Sequence, residues 1–285
     1  MTTGQNVFVT GITGNQGHTV ANHLLKKGVS VIGLTRNANS KKALQLKEHG
    51  VTIIEGDLNN PMSYASELNS ADSIFLVQAL QKQQNEIDQG KVFIDAIDTS
   101  RNPHLVYASV LGADLNTGVP HFESKNELEA YIKSKDLNYT ILRPASFYEN
   151  HLMPQVAKGI YKGKYISPLK SNCVQQMIGV NDIGKIASQV ITNKSAYDAK
   201  TLSLATDEYE IGDMAKAFSA SLNIPVKYGK LPGLITRLAM GKDLYKMFKY
   251  MNKNNFRVVD NISDLRSEFN IEGDFKSWIR DNFKT

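Results

Sequence analysis

Three glycines near the amino terminus have the spacing of a phosphate-binding turn. Gly11, Gly14 and Gly17 follow the apolar run Val7–Val9 and precede a helical pattern over Thr19–Leu25. In such a turn the first glycine permits tight folding, the second lets a phosphate approach the backbone, and the third lets the helix pack on the strand. Because the first N–H groups of a helix attract anions, a dinucleotide pyrophosphate is predicted on Gly11-Ile12-Thr13-Gly14-Asn15-Gln16-Gly17. A purely structural turn is the alternative.

The residue after the second apolar run, Ser30–Thr35, indicates which dinucleotide binds. NAD sites usually place an acid there and NADP sites an arginine. Here the residue is Arg36, which suits a 2′-phosphate through forked hydrogen bonds and also stacks on adenine. NADP(H) is therefore predicted to be preferred over NAD(H), unless Arg36 is an arginine of the surface without a role. Asp57 after the third run is placed to accept from the adenine amino group. Alternatively, Asp57 or Asn59 caps a helix ahead of Pro61.

Apolar β-branched runs alternate with longer amphipathic stretches, which is typical of βαβ units. The predicted strands are Asn6–Thr10, Ser30–Thr35, Val51–Glu55, Ser73–Val77, His104–Ser109 and Tyr139–Leu142. The predicted helices are about Gln16–Lys27, Ser40–His49, Pro61–Leu68, Gln84–Thr99 and His121–Lys135. The fold class is therefore α/β, a Rossmann-type doubly wound parallel sheet, in which ligands bind beyond the carboxyl ends of the strands.

The regular alternation of predicted strands and helices ends after Pro144. Helix-like His151–Lys158 and Asn181–Thr192, strand-like Gln175–Val180 and Thr201–Ala205, and a mostly helical last third follow. We expect an NADP-binding domain over residues 1–150, with 175–205 contributing to it. Residues 151–174 and 206–285 are expected to form a smaller C-terminal lobe for a substrate or partner.

Composition excludes several classes. The chain has 285 residues with 41% hydrophobic and 21% charged side chains, which is typical of a globular protein. No apolar run approaches the roughly 18 to 20 residues needed to span a bilayer, so no membrane span is expected. The single cysteine, Cys173, fits a reducing, cytoplasmic location. No metal site is predicted, and the protein is expected to be a monomer or a homodimer.

Positive charge is concentrated in one segment. Eight Lys or Arg and one acid, Asp243, lie between Val226 and Arg257, a net charge of 8 − 1 = +7 against +5 for the whole chain. Lys242, Lys246, Lys249 and Lys253 alternate with Leu244, Met247, Phe248 and Met251 at helical spacing, which predicts a helix with a basic stripe. A solvated face is the simplest explanation. Nucleic-acid binding is disfavoured because no recognised binding module accompanies the charge.

The sequence resembles the NmrA-like branch of atypical short-chain dehydrogenases, which includes NADP-sensing regulators and NAD(P)H:quinone oxidoreductases. The matching segments are Thr10–Gly17, Thr35–Asn37, Gly56–Leu58, His121–Lys125 and Arg143–Asn150, in that order over roughly the first 190 residues. The resemblance implies a cofactor lining of Gly11 to Gly17, Arg36, Asn37, Asp57, Leu58, Gln78, Lys125, Phe147, Tyr148, Glu149 and Asn150. Asn39 and Ser40 are added for the 2′-phosphate, although Ala38 stands where relatives often have proline.

The resemblance also implies catalytic candidates. The wider superfamily uses Tyr-x-x-x-Lys, but counting back four from Lys125 gives His121. Ordinary alcohol dehydrogenation is therefore doubtful, although a histidine is able to donate a proton near neutral pH. Ser109 matches the substrate-orienting serine, and Tyr148 is a nearby phenol whose alternative role is packing. Two functions follow, namely reduction of a quinone or similar carbonyl acceptor, and a non-catalytic NADPH/NADP redox sensor that regulates a protein partner.

Overall fold

Short strands alternate with helices along the chain. A computed structural model describes residues 4–79 and 81–284. Its strands are β1 (Asn6–Val9), β2 (Ser30–Thr35), β3 (Thr52–Glu55), β4 (Ser73–Leu76), β5 (His104–Ala108), β6 (Asn138–Pro144), β7 (Ser146–Phe147), β8 (Lys164–Ser167), β9 (Val174–Ile178), β10 (Lys200–Leu204), β11 (Asp207–Glu210) and β12 (Lys227–Lys230). Its α-helices are α1 (Asn15–Lys26), α2 (Lys41–Glu48), α3 (Ala65–Asn69), α4 (Gln83–Asp95), α5 (Pro120–Lys133), α6 (Pro154–Tyr161), α7 (Val180–Thr192), α8 (Lys194–Tyr197), α9 (Ile211–Leu222), α10 (Gly233–Asn254), α11 (Ile262–Glu268) and α12 (Phe275–Asn282).

The main sheet has the strand order β10-β6-β5-β4-β1-β2-β3. Strands β1 to β6 pair in parallel, and the winding reverses between β1 and β4. The six predicted strands and the Rossmann-type doubly wound fold are confirmed. The strand predicted near Thr201 is β10, which extends this sheet beside β6.

Helices cover both faces of this sheet. On one face, Phe8, Ile74, Leu76 and Tyr107 pack with residues of α3, α4 and α5 in one buried cluster. A Cβ at Gly90 of α4 would lie 2.5 Å from the Leu128 side chain of α5, so a larger residue there would displace Leu128. On the other face α1 contacts α7, where the Thr19 hydroxyl donates to the Val180 carbonyl at 3.1 Å.

The chain forms two compact units. The first contains the residues up to Asp114, Pro120–Arg143 and Val180–Leu202, and therefore most of the main sheet. The second contains Leu115–Val119, Pro144–Gly179 and the residues from Ser203 onward. The strand expected over Gln175–Val180 is β9, which lies in the second unit and pairs with β7 and β11.

Several predicted element boundaries were wrong for local reasons. The helix predicted over Pro61–Leu68 is a 3-10 turn at Pro61–Tyr64 followed by α3. The helix predicted to reach Thr99 ends at Asp95, because Asp98 starts a separate 3-10 turn by accepting from the Ser100 N–H. The helix predicted over His151–Lys158 begins instead at Pro154, whose fixed backbone angle suits a first helical turn. The last third, from about Glu210, is mostly helical as predicted and also contains the short strand β12.

Helix α10 confirms the predicted amphipathic pattern. Its four lysines at positions 242, 246, 249 and 253 are exposed, whereas Leu244, Met247 and Phe248 are half-buried and Met251 is buried. Among the residues that the structure describes, no helix is both long and apolar enough to cross a bilayer.

Two buried histidines make the stability of the fold depend on pH. The His104 ring lies 2.8 Å from the Thr140 hydroxyl, and the His151 ring lies 2.9 Å from the Tyr148 carbonyl. Burial lowers the pKa of each histidine to about 4. In the unfolded chain both pKa values return to about 6.5. Protonation below that value therefore favours the unfolded state.

We expect the free energy of unfolding to fall between pH 6.5 and pH 4. Each of the two histidines should contribute a slope of up to about 1.4 kcal/mol per pH unit, which vanishes above pH 6.5. Urea titrations across this range measure the slope. The variant His151→Phe keeps an aromatic ring and should lose the contribution of one proton, so an unchanged slope in that variant would contradict the assignment.

Candidate functional site

The glycine turn lies between β1 and α1 as the sequence predicts. Gly11 has a φ of 55°, and the Gly14 N–H donates to the Gly11 carbonyl at 2.8 Å. A Cβ at Gly17 would lie 2.7 Å from the Thr10 carbonyl oxygen, which no other residue tolerates without movement. Helix α1 begins directly after Gly14 and has no acidic residue in its first turn. The turn therefore points a helix amino terminus at the carboxyl edge of the sheet.

Hydrogen bonds fix this turn to the next strand at the reversal point. The Thr10 hydroxyl donates to the Val77 carbonyl at 2.9 Å and accepts from the Val77 N–H at 2.8 Å. The Thr10 N–H also donates to Phe75 at 3.0 Å. Gln78, next along the chain, is consequently held at the same edge as the glycine turn.

The segment after β2 is a hydrogen-bonded turn with an exposed arginine. Arg36 is exposed, the Asn37 side chain accepts from the Asn39 N–H at 2.9 Å, and Ser40 caps α2 by accepting from the Ala43 N–H at 3.3 Å. The Ala38 N–H donates to the Glu55 carboxylate at the end of β3, at 2.8 Å. No acid follows β2, and the nearby carboxylate of Glu55, on the neighbouring strand β3, is hydrogen-bonded to the backbone of this turn.

A lysine from α2 reaches the glycine turn. The Lys42 ammonium donates to the Thr13 carbonyl at 3.3 Å. Burial, followed by the positive charge of Lys42, lowers the pKa of the neighbouring His18. This edge of the turn therefore carries the positive charge of Lys42.

Asp57 and Leu58 shape the end of β3. The Asp57 carboxylate accepts from the Asn59 N–H at 2.8 Å and from the Asn59 side chain at 2.6 Å. The Tyr64 hydroxyl donates to the Asp57 carbonyl at 3.1 Å, and Leu58 packs on the core cluster. In the structure Asp57 thus stabilises the turn that precedes Pro61, whereas the 3-10 turn Pro61–Tyr64 has no side-chain cap.

Lys125 is held by a buried carboxylate. Its ammonium lies 2.9 Å from Glu86 of α4, which is only 1% exposed, and 5.1 Å from the centre of the Tyr107 ring. The Ser124 hydroxyl donates to the second oxygen of Glu86 at 2.5 Å. The Gln78 side chain donates to the Glu86 carbonyl at 2.9 Å. Lys125 and Gln78, both predicted site residues, are therefore brought together by Glu86.

A second buried acid lies one helical turn further along α5. Glu129 is 1% exposed and accepts two hydrogen bonds from Arg143, at 2.9 Å and 2.5 Å. Ser109, the predicted substrate-orienting residue, donates its hydroxyl to the same carboxylate at 2.5 Å. Arg143 also pairs with Asp114 at 2.5 Å. In this structure the Ser109 hydroxyl is engaged within the protein.

His121 is the second residue of α5, and its ring packs edge-on against Phe122 with centroids 4.8 Å apart. Its carbonyl oxygen lies 3.3 Å from the Ser124 hydroxyl oxygen. The position agrees with a helix-start residue, one of the two roles considered for it.

The segment Phe147–Asn150 belongs to the second unit. Phe147 ends β7, and the 3-10 turn Tyr148–Leu152 follows. The Tyr148 hydroxyl donates to the Asp207 carboxylate, and its ring packs 5.2 Å from Phe275. Glu149 is half-buried and Asn150 is exposed. Tyr148 is thus packed and hydrogen-bonded inside its unit, as in the packing alternative.

Sequence reasoning missed Glu86, Glu129, Lys42 and Glu55. A signal for the two buried acids was present, because each is a charged residue on an apolar helical stripe. Glu86 precedes Gly90 and Phe93 at intervals of four and three, and Glu129 lies between Phe122 and Ile132 at intervals of seven and three. Acids are almost never fully buried unless they are paired, so each predicts a cationic or donor partner.

The fold and the turn define a Rossmann-type nucleotide-binding protein. The sequence profile of the NmrA-like family matches residues 3–272. This chain therefore belongs to the NmrA-like family, which confirms the resemblance seen in the sequence.

Three known proteins illustrate the similarity. An NAD(P)H azoreductase from Xenophilus azovorans is 28% identical over 224 residues, 78% of this chain and 76% of that protein. The structure of an NADPH-dependent quinone oxidoreductase from Escherichia coli in complex with NADPH superimposes with a TM-score of 0.82 at 20% identity, over 98% of this chain and all of that one. The negative transcriptional regulator NmrA in complex with NADP gives a TM-score of 0.79 at 18% identity, over 98% of this chain and 95% of that one.

The Lys125–Glu86 pair should show strong energetic coupling. We expect a double-mutant cycle with Lys125→Met and Glu86→Gln to give a coupling of about 2 kcal/mol in the free energy of unfolding, because either single change leaves a buried charge without its partner. The exposed pair Lys91–Glu127, at 2.7 Å, is the matched control and should give less than about 1 kcal/mol. Equal coupling in the two pairs, measured by urea unfolding, would show that burial does not strengthen the first.

Proposed function

We propose that this protein binds NADP(H) and reduces a quinone or a similar acceptor by two electrons. The observation that carries the proposal is the meeting of the glycine turn, the Arg36 turn and the Lys125–Glu86 pair at one carboxyl edge of a parallel sheet. The oxidoreductase class is supported by relatives described as an azoreductase and a quinone oxidoreductase. We assign dinucleotide binding to the first unit, and contact with the acceptor or a partner to the second.

Unsatisfied polar atoms at this edge fit a polar ligand. The side-chain oxygens of Gln16 and Gln78 are buried without a hydrogen-bond partner among the residues the structure describes. Buried polar atoms nearly always have a partner, and hydroxyl or amide groups of a dinucleotide are suitable donors. The α1 amino terminus and the Lys42 ammonium provide positive charge for the pyrophosphate.

The same chemistry favours the 2′-phosphate form. Arg36, Asn39 and Ser40 belong to one turn, which Glu55 holds by accepting from the Ala38 N–H at 2.8 Å. Because that carboxylate is engaged with the backbone of the turn, we propose that Arg36 rather than an acid meets the adenine ribose. NADP(H) is then preferred over NAD(H).

The preference is tested by Arg36→Asp. This change should weaken NADPH binding at least about tenfold more than NADH binding, because it removes a charge-assisted pair and adds repulsion. Calorimetry with both dinucleotides measures the two affinities. Lys125→Ala, which removes a contact to the ribose common to both, should lower the two affinities by similar factors, and the exposed Arg101→Asp should change neither. Equal affinities of the unaltered protein for NADH and NADPH would overturn the proposal.

The side chains around the site determine how the ribose is held and where protons come from. When bound, the reduced dinucleotide supplies a hydride. Glu86 fixes Lys125, whose ammonium has three donors and so is able to bind a ribose hydroxyl while it stays paired. Ser109 and Tyr148 donate their hydroxyls to Glu129 and Asp207, so neither is assigned proton transfer. We propose that solvent supplies the protons to the reduced acceptor. His121, at the start of α5, is then not an essential proton donor. Acceptors that collect protons from water, such as quinones, suit this arrangement.

Turnover is tested by mixing NADPH-loaded protein with a panel of quinones in stopped flow. NADPH should be oxidised well above the rate without protein. His121→Ala should change the rate by less than about tenfold, since an essential general acid contributes about 100-fold or more. A larger loss, rescued by lower pH, would instead make His121 the proton donor.

A redox sensor is the second candidate, and the engagement of both Ser109 and Tyr148 with buried or half-buried carboxylates favours it. A sensor requires that NADPH and NADP⁺ bind two conformations with different affinities. It predicts no turnover with any acceptor in the panel, together with a change in hydrogen-exchange protection over residues 231–256 when NADPH replaces NADP⁺. That combined result would replace the enzyme proposal.

We also propose a cytoplasmic location, since the single cysteine is buried and free.

A further inference from the structure

The first part of helix α10 exposes several large apolar side chains to solvent. The helix is divided at Gly241, where φ is 84° and ψ is 172°. Leu234 is 72% exposed, Ile235 49% and Leu238 78%, and these values place two leucines among the most exposed large apolar side chains of the described chain. We call Leu234, Ile235 and Leu238 the apolar ridge. At 100° per residue these positions span one third of the helix circumference or less, so they form one contiguous strip.

The part of α10 after Gly241 presents positive charge instead. Lys242, Lys246, Lys249 and Lys253 are exposed, while Tyr245 and Phe248 are half-buried. We call these four lysines the basic stripe. The stretch from Val226 to Arg257 carries eight basic residues and one acid. The apolar ridge and the basic stripe therefore lie on two helical segments that meet at Gly241. The segments pack side by side, since Thr236 and Tyr245 line the same pocket.

A pocket lies beside the two surfaces. Its lining includes three lysines, two aromatic residues and a threonine, namely Lys170, Lys230, Lys249, Tyr245, Phe248 and Thr236. The Lys170 N–H donates to the Asn252 side chain at 2.7 Å, and its ammonium lies 3.4 Å from the Asn252 carbonyl. These contacts fix the loop before β9 against α10. The pocket has the chemistry to hold an anionic headgroup.

Charge decides between possible occupants of this surface. A second copy meeting the same surface would bring two strongly positive segments together, which like-charge repulsion disfavours. A nucleic acid would neutralise the lysines but leave the apolar ridge in water. A bilayer that contains anionic phospholipids matches both, because its headgroups attract lysines and its acyl boundary accepts leucine and isoleucine.

We propose that the apolar ridge and the basic stripe bind the surface of a membrane that contains anionic phospholipids, with the chain lying on the bilayer and not crossing it. The apolar ridge enters the boundary between headgroups and acyl chains. The basic stripe, which includes Lys249 of the pocket, and the other two pocket lysines, Lys170 and Lys230, contact phosphate groups. This interaction goes beyond the proposed function and does not depend on it.

The test is co-sedimentation of the full chain with vesicles, in the absence of any dinucleotide or acceptor. Vesicles of phosphatidylcholine with phosphatidylglycerol should bind the protein, those of phosphatidylcholine alone should bind far less, and high salt should release it. Leu234→Ser with Leu238→Ser, and separately Lys246→Gln with Lys249→Gln, should each lower the partition coefficient at least about tenfold.

Matched variants elsewhere on the chain serve as controls. Met62→Ser removes another highly exposed apolar side chain, 76% exposed, and Lys26→Gln with Lys47→Gln removes two exposed lysines from other helices. Both should bind vesicles like the unaltered protein. Circular dichroism melting checks that every variant is folded.

Three results would overturn the proposal. The first is no binding to anionic vesicles at low salt. The second is equal loss of binding in the control variants, which would indicate net charge or general stickiness. The third is a dimer in sedimentation velocity that the two leucine substitutions abolish, which would assign the apolar ridge to a second copy of the chain.

Discussion

The close approach of α1 to the end of β1 is the constraint on which the rest of the site depends. No side chain fits at Gly17, because its Cβ would meet the Thr10 and Gly11 carbonyl groups. This contact aims the amino terminus of α1 along the edge of the sheet, and Thr10 ties that edge to β4 through Val77. The turns after β2 and β3 lie at the same edge because parallel strands end together.

Two buried acids organise the helix that covers this edge. Glu86 fixes Lys125, and Glu129 fixes Arg143 and Ser109 one turn further on. Taking a charge out of water is costly unless it is paired, so these contacts restrict how α4, α5 and β6 are arranged. They also engage the hydroxyl of Ser109, the residue predicted to orient a substrate, within the protein.

The second unit combines a buried aromatic cluster with an exposed apolar and basic surface. His151, Tyr148 and Phe275 form a buried aromatic cluster in which Asp207 accepts from the Tyr148 hydroxyl. Helix α10 of the same unit leaves leucines exposed beside lysines. A protein with no use for such a surface gains nothing from exposing large apolar side chains in a contiguous strip, and this is why a partner of matching chemistry is inferred.

The sequence by itself determined the fold class, the glycine turn and the amphipathic basic helix, because each is set by local spacing of glycines, apolar residues and charges. Only the tertiary structure decided which side chains meet. Glu86 lies 39 residues from Lys125, and Glu55 lies 17 residues from Ala38, so no local pattern pairs them. The hydroxyls of Ser109 and Tyr148 look available in the sequence. In the fold they are engaged, because a buried or half-buried carboxylate must be satisfied by whichever donors the packing brings to it.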